Sequence, residues 1–434
     1  MAKVHPFRGF LYDPEQVGDL NKVVTQPYDK IDGADQERYY ESSPYNIVRV
    51  ILPDEERVGG DRYQSAADNL QEWIDEGVLV RDQEPSFYAY FQEYEVEGET
   101  HVRRGFVGLG DLGGEEKAKA HEDTMEGPKA DRLNLMRATE ANFGHIFMLY
   151  SDPQQVIADA LEDAVTEKQP AAQVKDEDRN LHRLWRIGEE ELLGQIRERM
   201  QDKNLYIADG HHRYETAINF MKECLDQGWK SPGPEGFTSR MMTFINIDDP
   251  GLTILPTHRM IYGLEGFNPR NLLEEAREDF AIYRFQDKES LFEKLDQDLG
   301  SEHTFGYRAK GGNAYWALSL NDESLMDDLI PDQSPEWRKL DVSILHKAIL
   351  ERYLGIDEEA LEKKTNIDYV RYRDQALSKL ENESYQAAFL LNPTRVEEVK
   401  AVADNEERMP QKSTDFYPKL LTGLVMHKLE IDKE

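Results

Sequence analysis

The stretch Leu205–Phe220 constrains this chain more than any other. It opens with four apolar residues, Leu205–Ala208. It then turns through Asp209 and Gly210, passes His211, His212 and Arg213, and runs on in helical spacing to about Trp229. An apolar tetrad that meets Asp-Gly and switches period reads as buried strand, tight turn and helix. Gly210 can take positive φ and let a ligand approach the backbone. The first amide groups of the helix point forward, and with the helix dipole they attract an anion. Arg213 adds a planar, permanently charged fork suited to phosphate oxygens. His211 and His212 can donate hydrogen bonds or exchange protons near neutral pH. Asp209 can hold a histidine, orient a magnesium ion, act as a base, or simply cap the helix.

The flanking sequence predicts a mixed α+β chain. Asn46–Pro53 reads as a buried strand, Arg62–Gly77 as a helix with a glycine stop, and Ser86–Val96 with Arg103–Leu109 as a hairpin. Gly113–Lys129 reads as an exposed loop, Asp131–Ala141 as a helix, His145–Tyr150 as a strand, Gln169–Asp178 as a linker and Arg240–Ile247 as a strand. After Ile261 a new mixture of strands and helices begins, including a helix over Asp341–Tyr353. We therefore expect one domain over 1–260 and a second α/β domain over 261–434, with the C-terminal segment free to return to the first.

Charge narrows the function classes. The 434 residues carry 52 Lys and Arg against 86 Asp and Glu, a net charge of −34. Such a chain has no general attraction for DNA or anionic lipid. A small anionic ligand needs only a local basic pocket. A single cysteine, Cys224, excludes an internal disulfide and a cysteine-based zinc site. The first residues lack an apolar signal core, and no run approaches the length of a membrane span. A cytoplasmic protein is the expectation.

Other groups could join the box. His121, Glu122 and Thr124 stand in the Gly113–Lys129 loop, where a His/Glu pair suits acid–base work or a metal. Pro27-Tyr28-Asp29 places Asp29 after an apolar pair, and Arg8 could reach the same mouth. Thr257-His258-Arg259 repeats the His-Arg chemistry. Lys412-Ser413-Thr414 offers a cation and two hydroxyls but lacks the glycines of a phosphate loop.

Tyr206–Ala217 resembles the signature of a widespread family catalogued as domain of unknown function 1015. Pro27-Tyr28-Asp29, Pro44-Tyr45-Asn46, His121–Thr124, Asp248–Leu252, Thr257-His258-Arg259, Leu340-Asp341-Val342, Met409–Thr414 and Phe416–Lys419 also fit it. The box alone is similar to the phosphate-binding motif of the ParB/sulfiredoxin superfamily, which includes free-serine kinases. That resemblance implies a ParB/sulfiredoxin-like nucleotide-binding core. Histidine stands where sulfiredoxin has its cysteine, which argues against sulfinic acid reduction.

The combined expectation is a nucleotide-dependent phosphotransferase, ATP or ADP with Mg2+, acting on a small hydroxyl-bearing metabolite such as free serine. In it Asp209, His211 and Glu122 are catalytic, and Asp209 and Glu122 hold the metal. Gly210, His212, Arg213, Lys412, Ser413 and Thr414 bind the nucleotide. Asp29, His121, Thr124 and Arg259 bind the substrate. A nucleotide-binding regulatory switch and a metal-assisted phosphatase are the alternatives. Self-association stays open.

Overall fold

The computed structural model describes residues 3–96, 98–113, 118–119, 126–405 and 407–434. The chain is mixed α/β. It forms two compact units, which divide at Leu252/Thr253 and again at Tyr417/Pro418. The first therefore takes back Pro418–Glu434, and among the described residues the second is an insertion over Thr253–Tyr417. The sequence reading had put the change at 260/261.

The first unit is built on one large sheet. Its strands run in the order Ala118–Lys119, Leu205–Asp209, Ile146–Tyr150, Ser239–Asn246, Glu99–Asp111, Phe87–Val96, Leu181–Ile187 and Ala172–Lys175, with Val4–His5 added beside Glu99–Asp111. Leu205–Asp209 lies antiparallel to Ile146–Tyr150, which is parallel to Ser239–Asn246. The central strands are apolar runs rather than alternations because both faces are covered. Ile207, Phe147, Met148, Phe106 and Phe244 are wholly buried. Each such side chain contributes about 1.5–3 kcal/mol relative to exposure. The register shifts between Ile207 and Asp209, so Ala208 falls out of the pairing and Asp209 meets Phe147 at the end of the ladder. A bulge of this kind re-aims a side chain at a sheet rim, and here that side chain is Asp209.

Helix His211–Asp226 follows at once. It buries Arg213, Tyr214, Thr216, Ala217, Phe220 and Cys224 on one side and packs against helix Glu126–Thr139. That second helix begins within the expected Gly113–Lys129 loop, and Ala118–Lys119 is a short strand there. Gly127 and Pro128 are tolerated because a first helical turn does not use their amides.

Two further expectations change. Asn46–Pro53 is not a strand: Val48–Ile51 is a helical turn. Asn46 Oδ1 accepts the Val48 amide and its Nδ2 donates to Lys22 O, so a polar side chain starts the turn. A short apolar segment such as Ile47–Leu52, broken only by Arg49, carries no period long enough to choose. The expected linker Gln169–Asp178 contains the edge strand Ala172–Lys175, paired with Leu181–Leu184.

The C-terminal segment is tied into the first unit by backbone and by buried polar groups. Thr422 pairs with Thr25, Met426 with Phe10, and His427–Lys428 with Ala141–Asn142. Arg103, wholly buried, donates to Gln92 Oε1 and to Pro418 O, while Gln92 Nε2 donates to Lys419 O.

The second unit is a six-stranded antiparallel sheet ordered Phe280–Phe285, Tyr315–Leu320, Thr304–Ala309, Tyr385–Leu390, His258–Tyr262 and Ile367–Val370. Alternation along its strands feeds two cores. Ala387 and Phe389 join the one that holds Ile344, Leu345 and Ile349, and Ala388 and Leu390 join the one that holds Leu291, Leu295 and Leu380. The expected Asp341–Tyr353 helix is present, with a wider π turn over Leu345–Glu351. Among the described residues no helix is long and apolar enough to cross a membrane.

Arg103→Met should strip donors from Gln92 and Pro418 O at a buried site. We expect a loss of about 3 kcal/mol, from hydrogen bonds to a charged group and the acceptors left behind. Urea denaturation checks it; an unchanged midpoint would mean that the C-terminal segment is held without Arg103.

Candidate functional site

The site begins where strand Leu205–Asp209 stops. Gly210 has φ +95, a left-handed conformation that favours glycine, and it lets the chain turn straight into the helix. An added Cβ there would lie 3.0–3.1 Å from the Arg213 guanidinium. The turn thus needs glycine twice, for its backbone and for its neighbour.

Arg213 folds back over this turn. Its Nη2 donates to Asp209 Oδ2 at 3.3 Å, an i,i+4 pair across the turn, and only 9% of its side chain is exposed. Its Nη1 lies against Gly144, where a Cβ would sit 3.0 Å away. His211 is buried and His212 half-buried.

Asp209 lies within the electrostatic reach of several positive groups. Burial would raise its pKa, but Lys419, Arg213, Lys30 and His211 outweigh burial and hold the carboxyl well below the usual range. The carboxylate still keeps 29% of its side-chain surface open. These groups come from separate parts of the first unit. Lys30 closes the turn Tyr28–Lys30, Arg213 and His211 start the helix, and Lys419 lies on the returning C-terminal segment.

A layer of buried groups supports this rim. The Arg132 guanidinium lies over the Tyr28 ring at 4.2 Å and donates to Asp131 and Ile51 O. Burial pushes the Tyr28 phenol up, against the pull of Arg132. His145 is fully buried, with Nδ1 2.7 Å from Thr243 Oγ1 and Nε2 3.4 Å from Val425 O. Burial, then Arg213 and Arg240, bring its pKa down to about 3 against the lift of Val425 O, so the ring is neutral.

Of the residues expected from sequence, Asp209, Gly210, His211, His212 and Arg213 meet here. Asp29 is exposed in the Tyr28–Lys30 turn. His121, Glu122 and Thr124 lie outside the described residues. Arg8 does not reach this mouth: with Arg81 it binds Glu235 and Glu430. Arg259, Lys412, Ser413 and Thr414 belong to the second unit. There Arg259 is wholly buried and donates to Thr257 O, Thr257 Oγ1 and Lys412 O, with His346 Nε2 3.0 Å away. Ser413 is buried, and its hydroxyl donates to Pro410 O. These contacts hold that unit together and direct the Arg259 donors inward.

Lys30, Lys419 and Arg240 were missed. Lys30 directly follows Pro27-Tyr28-Asp29, and Lys419 ends the Phe416–Lys419 stretch, so both stood beside recognised motifs. Arg240 is a charge at the head of an apolar strand, a pattern that marks a buried cation. Among the described residues no group of three or more His, Cys, Asp or Glu side chains is placed to hold a metal. Asp209 brings one carboxylate to this place, and magnesium takes one or two carboxylates plus phosphate oxygens and water.

Residues 4–343 match the family model described as protein of unknown function (DUF1015). No match was found among curated proteins. Among solved structures, a conserved hypothetical protein from Pyrococcus furiosus is 14% identical, with 72% of this chain and 91% of that one covered and a TM-score of 0.34. A free serine kinase in complex with AMP is 12% identical, with 71% and 86% covered and a TM-score of 0.34. SbnI with a C-terminal truncation, from Staphylococcus aureus, is 12% identical, with 73% and 85% covered and a TM-score of 0.35.

The depressed Asp209 pKa fixes the sign of a pH effect. Its contribution to stability is fully present above the unfolded aspartate pKa of about 3.9 and is lost as pH falls through the folded value. Asp209→Asn should therefore unfold at lower urea than the parent at pH 7, and the gap should close as pH drops below about 4. A gap that stays constant into acid would show that the carboxylate charge is not what the cations stabilise.

Proposed function

Because the chain belongs to the DUF1015 family of proteins of unknown function, we propose from the site itself that the first unit grips the phosphates of ATP or ADP and passes a phosphoryl group to a small hydroxyl-bearing metabolite. The observation that carries this reading is Asp209 at the start of a helix, paired with Arg213 at 3.3 Å and lying within the electrostatic reach of Lys419, Lys30 and His211. Phosphoryl transfer demands positioning and charge neutralisation more than covalent chemistry.

The roles divide by environment. Gly210 brings the backbone close to the phosphates, and the helix start receives their charge. Lys419, Lys30 and Arg213 neutralise it, and His212, half-buried, donates to an outer oxygen. Asp209 is a poor proton acceptor at neutral pH, since a base works best with a pKa near the working pH. Its part is to organise the cations and to offer an oxygen to magnesium. Magnesium bound there would draw charge from the phosphate oxygens.

The acceptor hydroxyl oxygen bonds to the terminal phosphorus as the bond to the bridging oxygen breaks. The hydroxyl proton passes to a carboxylate, for which Glu122 is the candidate. Free serine is the first acceptor to test, as the resemblance of the box to free-serine kinases suggests.

Calorimetric titration with ADP and magnesium should show binding to the parent. Lys419→Met keeps the aliphatic stem and should weaken binding about tenfold, the loss of one charge-assisted contact. 31P NMR of protein, ATP or ADP, magnesium and serine should then show a phosphate monoester growing in. Nucleotide binding without any ester from serine or other small alcohols would leave a switch in place of an enzyme. Equal affinity in parent and Lys419→Met would remove the phosphate grip from this site.

A further inference from the structure

A second feature of the first unit lies apart from the Asp209 carboxylate. Arg240 is the second residue of strand Ser239–Asn246 and is only 6% exposed. Its Nη2 makes one long contact, 3.5 Å to Gly144 O. Its Nε and Nη1 are buried and have no hydrogen-bond partner. Thr216, on helix His211–Asp226, is 3% exposed, and its Oγ1 is likewise buried and unpartnered. Both residues line one cavity of about 50 Å³, together with Tyr28, Arg132, Gly144 and Arg213.

Charge makes this arrangement unusual. The cavity wall carries Arg132, Arg213 and Arg240. Asp131 answers Arg132, and Asp209 answers Arg213. Among the described residues no carboxylate forms an ion pair with Arg240, and the charge that acts on it is the like charge of Arg213. Burial, then Arg213, bring its pKa down to about 9, so the guanidinium stays protonated at pH 7. Both buried histidines that feel Arg240, His145 and His427, are pushed down to about 3 and stay neutral. A buried cation left without a counter-charge costs several kcal/mol. Water can meet N–H donors, but it cannot balance the charge.

We propose that this cavity binds a small monovalent anion of the halide class, held by Arg240 Nε and Nη1 with the Thr216 hydroxyl. Three donors suit a single spherical ion and fall short of a phosphate dianion, whose oxygens each need partners. The rest of the wall includes Leu135, Met136 and Phe143, which favours a weakly hydrated ion. The space exceeds the roughly 10–15 Å³ that one water needs. Because Arg213 lines the cavity and also binds Asp209, the ion supplies the counter-charge that Arg240 lacks beside the one guanidinium that the cavity shares with the proposed phosphate site. This site needs no nucleotide.

The test uses full-length protein without nucleotide, at constant ionic strength, with bromide replacing gluconate. The parent should show a saturable rise in Tm, and Arg240→Met should show none. A crystal grown in bromide should give an anomalous peak within hydrogen-bond reach of Arg240 Nε and Nη1. Thr216→Val, which keeps the cation and removes one donor, should need several-fold more bromide for the same rise; it decides the matter if Arg240→Met does not fold. The same bromide response in parent and variants, or a peak only beside Lys30 and Lys419, would overturn the proposal.

Discussion

Lys419, Arg213, Lys30 and His211 all act on the carboxylate of Asp209, and the polar architecture of the first unit follows from that one convergence. Positive groups of like sign that converge on one place repel one another unless an anion stands between them. Asp209 is that anion. It is delivered by a bulge at the end of a fully buried strand and fixed across a left-handed glycine by Arg213. The returning segment Pro418–Glu434 has a reason to dock: it brings Lys419 to the carboxylate, while Arg103 and Gln92 take up its carbonyls.

This local balance also makes a chain of net charge −34 compatible with the anionic ligand proposed for it. At physiological ionic strength exposed charges are screened beyond about 8 Å. A ligand at the helix start is therefore governed by the cations beside it and only weakly by the acidic surface at large.

Much of this was legible in the sequence, and the limits have physical causes. The strand–turn–helix at Leu205–Phe220 was readable because its signals are local: an apolar tetrad, a glycine and a change of period. The hairpin Phe87–Asp111 was readable for the same reason. Asn46–Pro53 was misread because four apolar β-branched residues fit a helical turn as well as a strand, and the choice was made by Asn46 hydrogen bonds to a neighbouring loop. Lys30 and Lys419 could not be assigned, since their approach to Asp209 depends on both ends of the chain returning to one sheet. Arg259 and Lys412–Thr414 looked like anion binders by residue type, yet burial turns the Arg259 donors inward within their own unit. Residue type states what a side chain can bind; only the fold states what already occupies it.

The most direct test of the central claim is the ionisation of Asp209 itself. Aspartate labelled at the carboxyl carbon, with Asp209→Asn used for assignment, allows its 13C shift to be followed by NMR as pH falls. The account predicts a carboxylate that stays ionised well below the pKa of about 3.9 seen in free aspartate. A carboxyl that titrates at or above that value would mean that burial wins over the cations, and the site would not be the charge-organised phosphate grip described above.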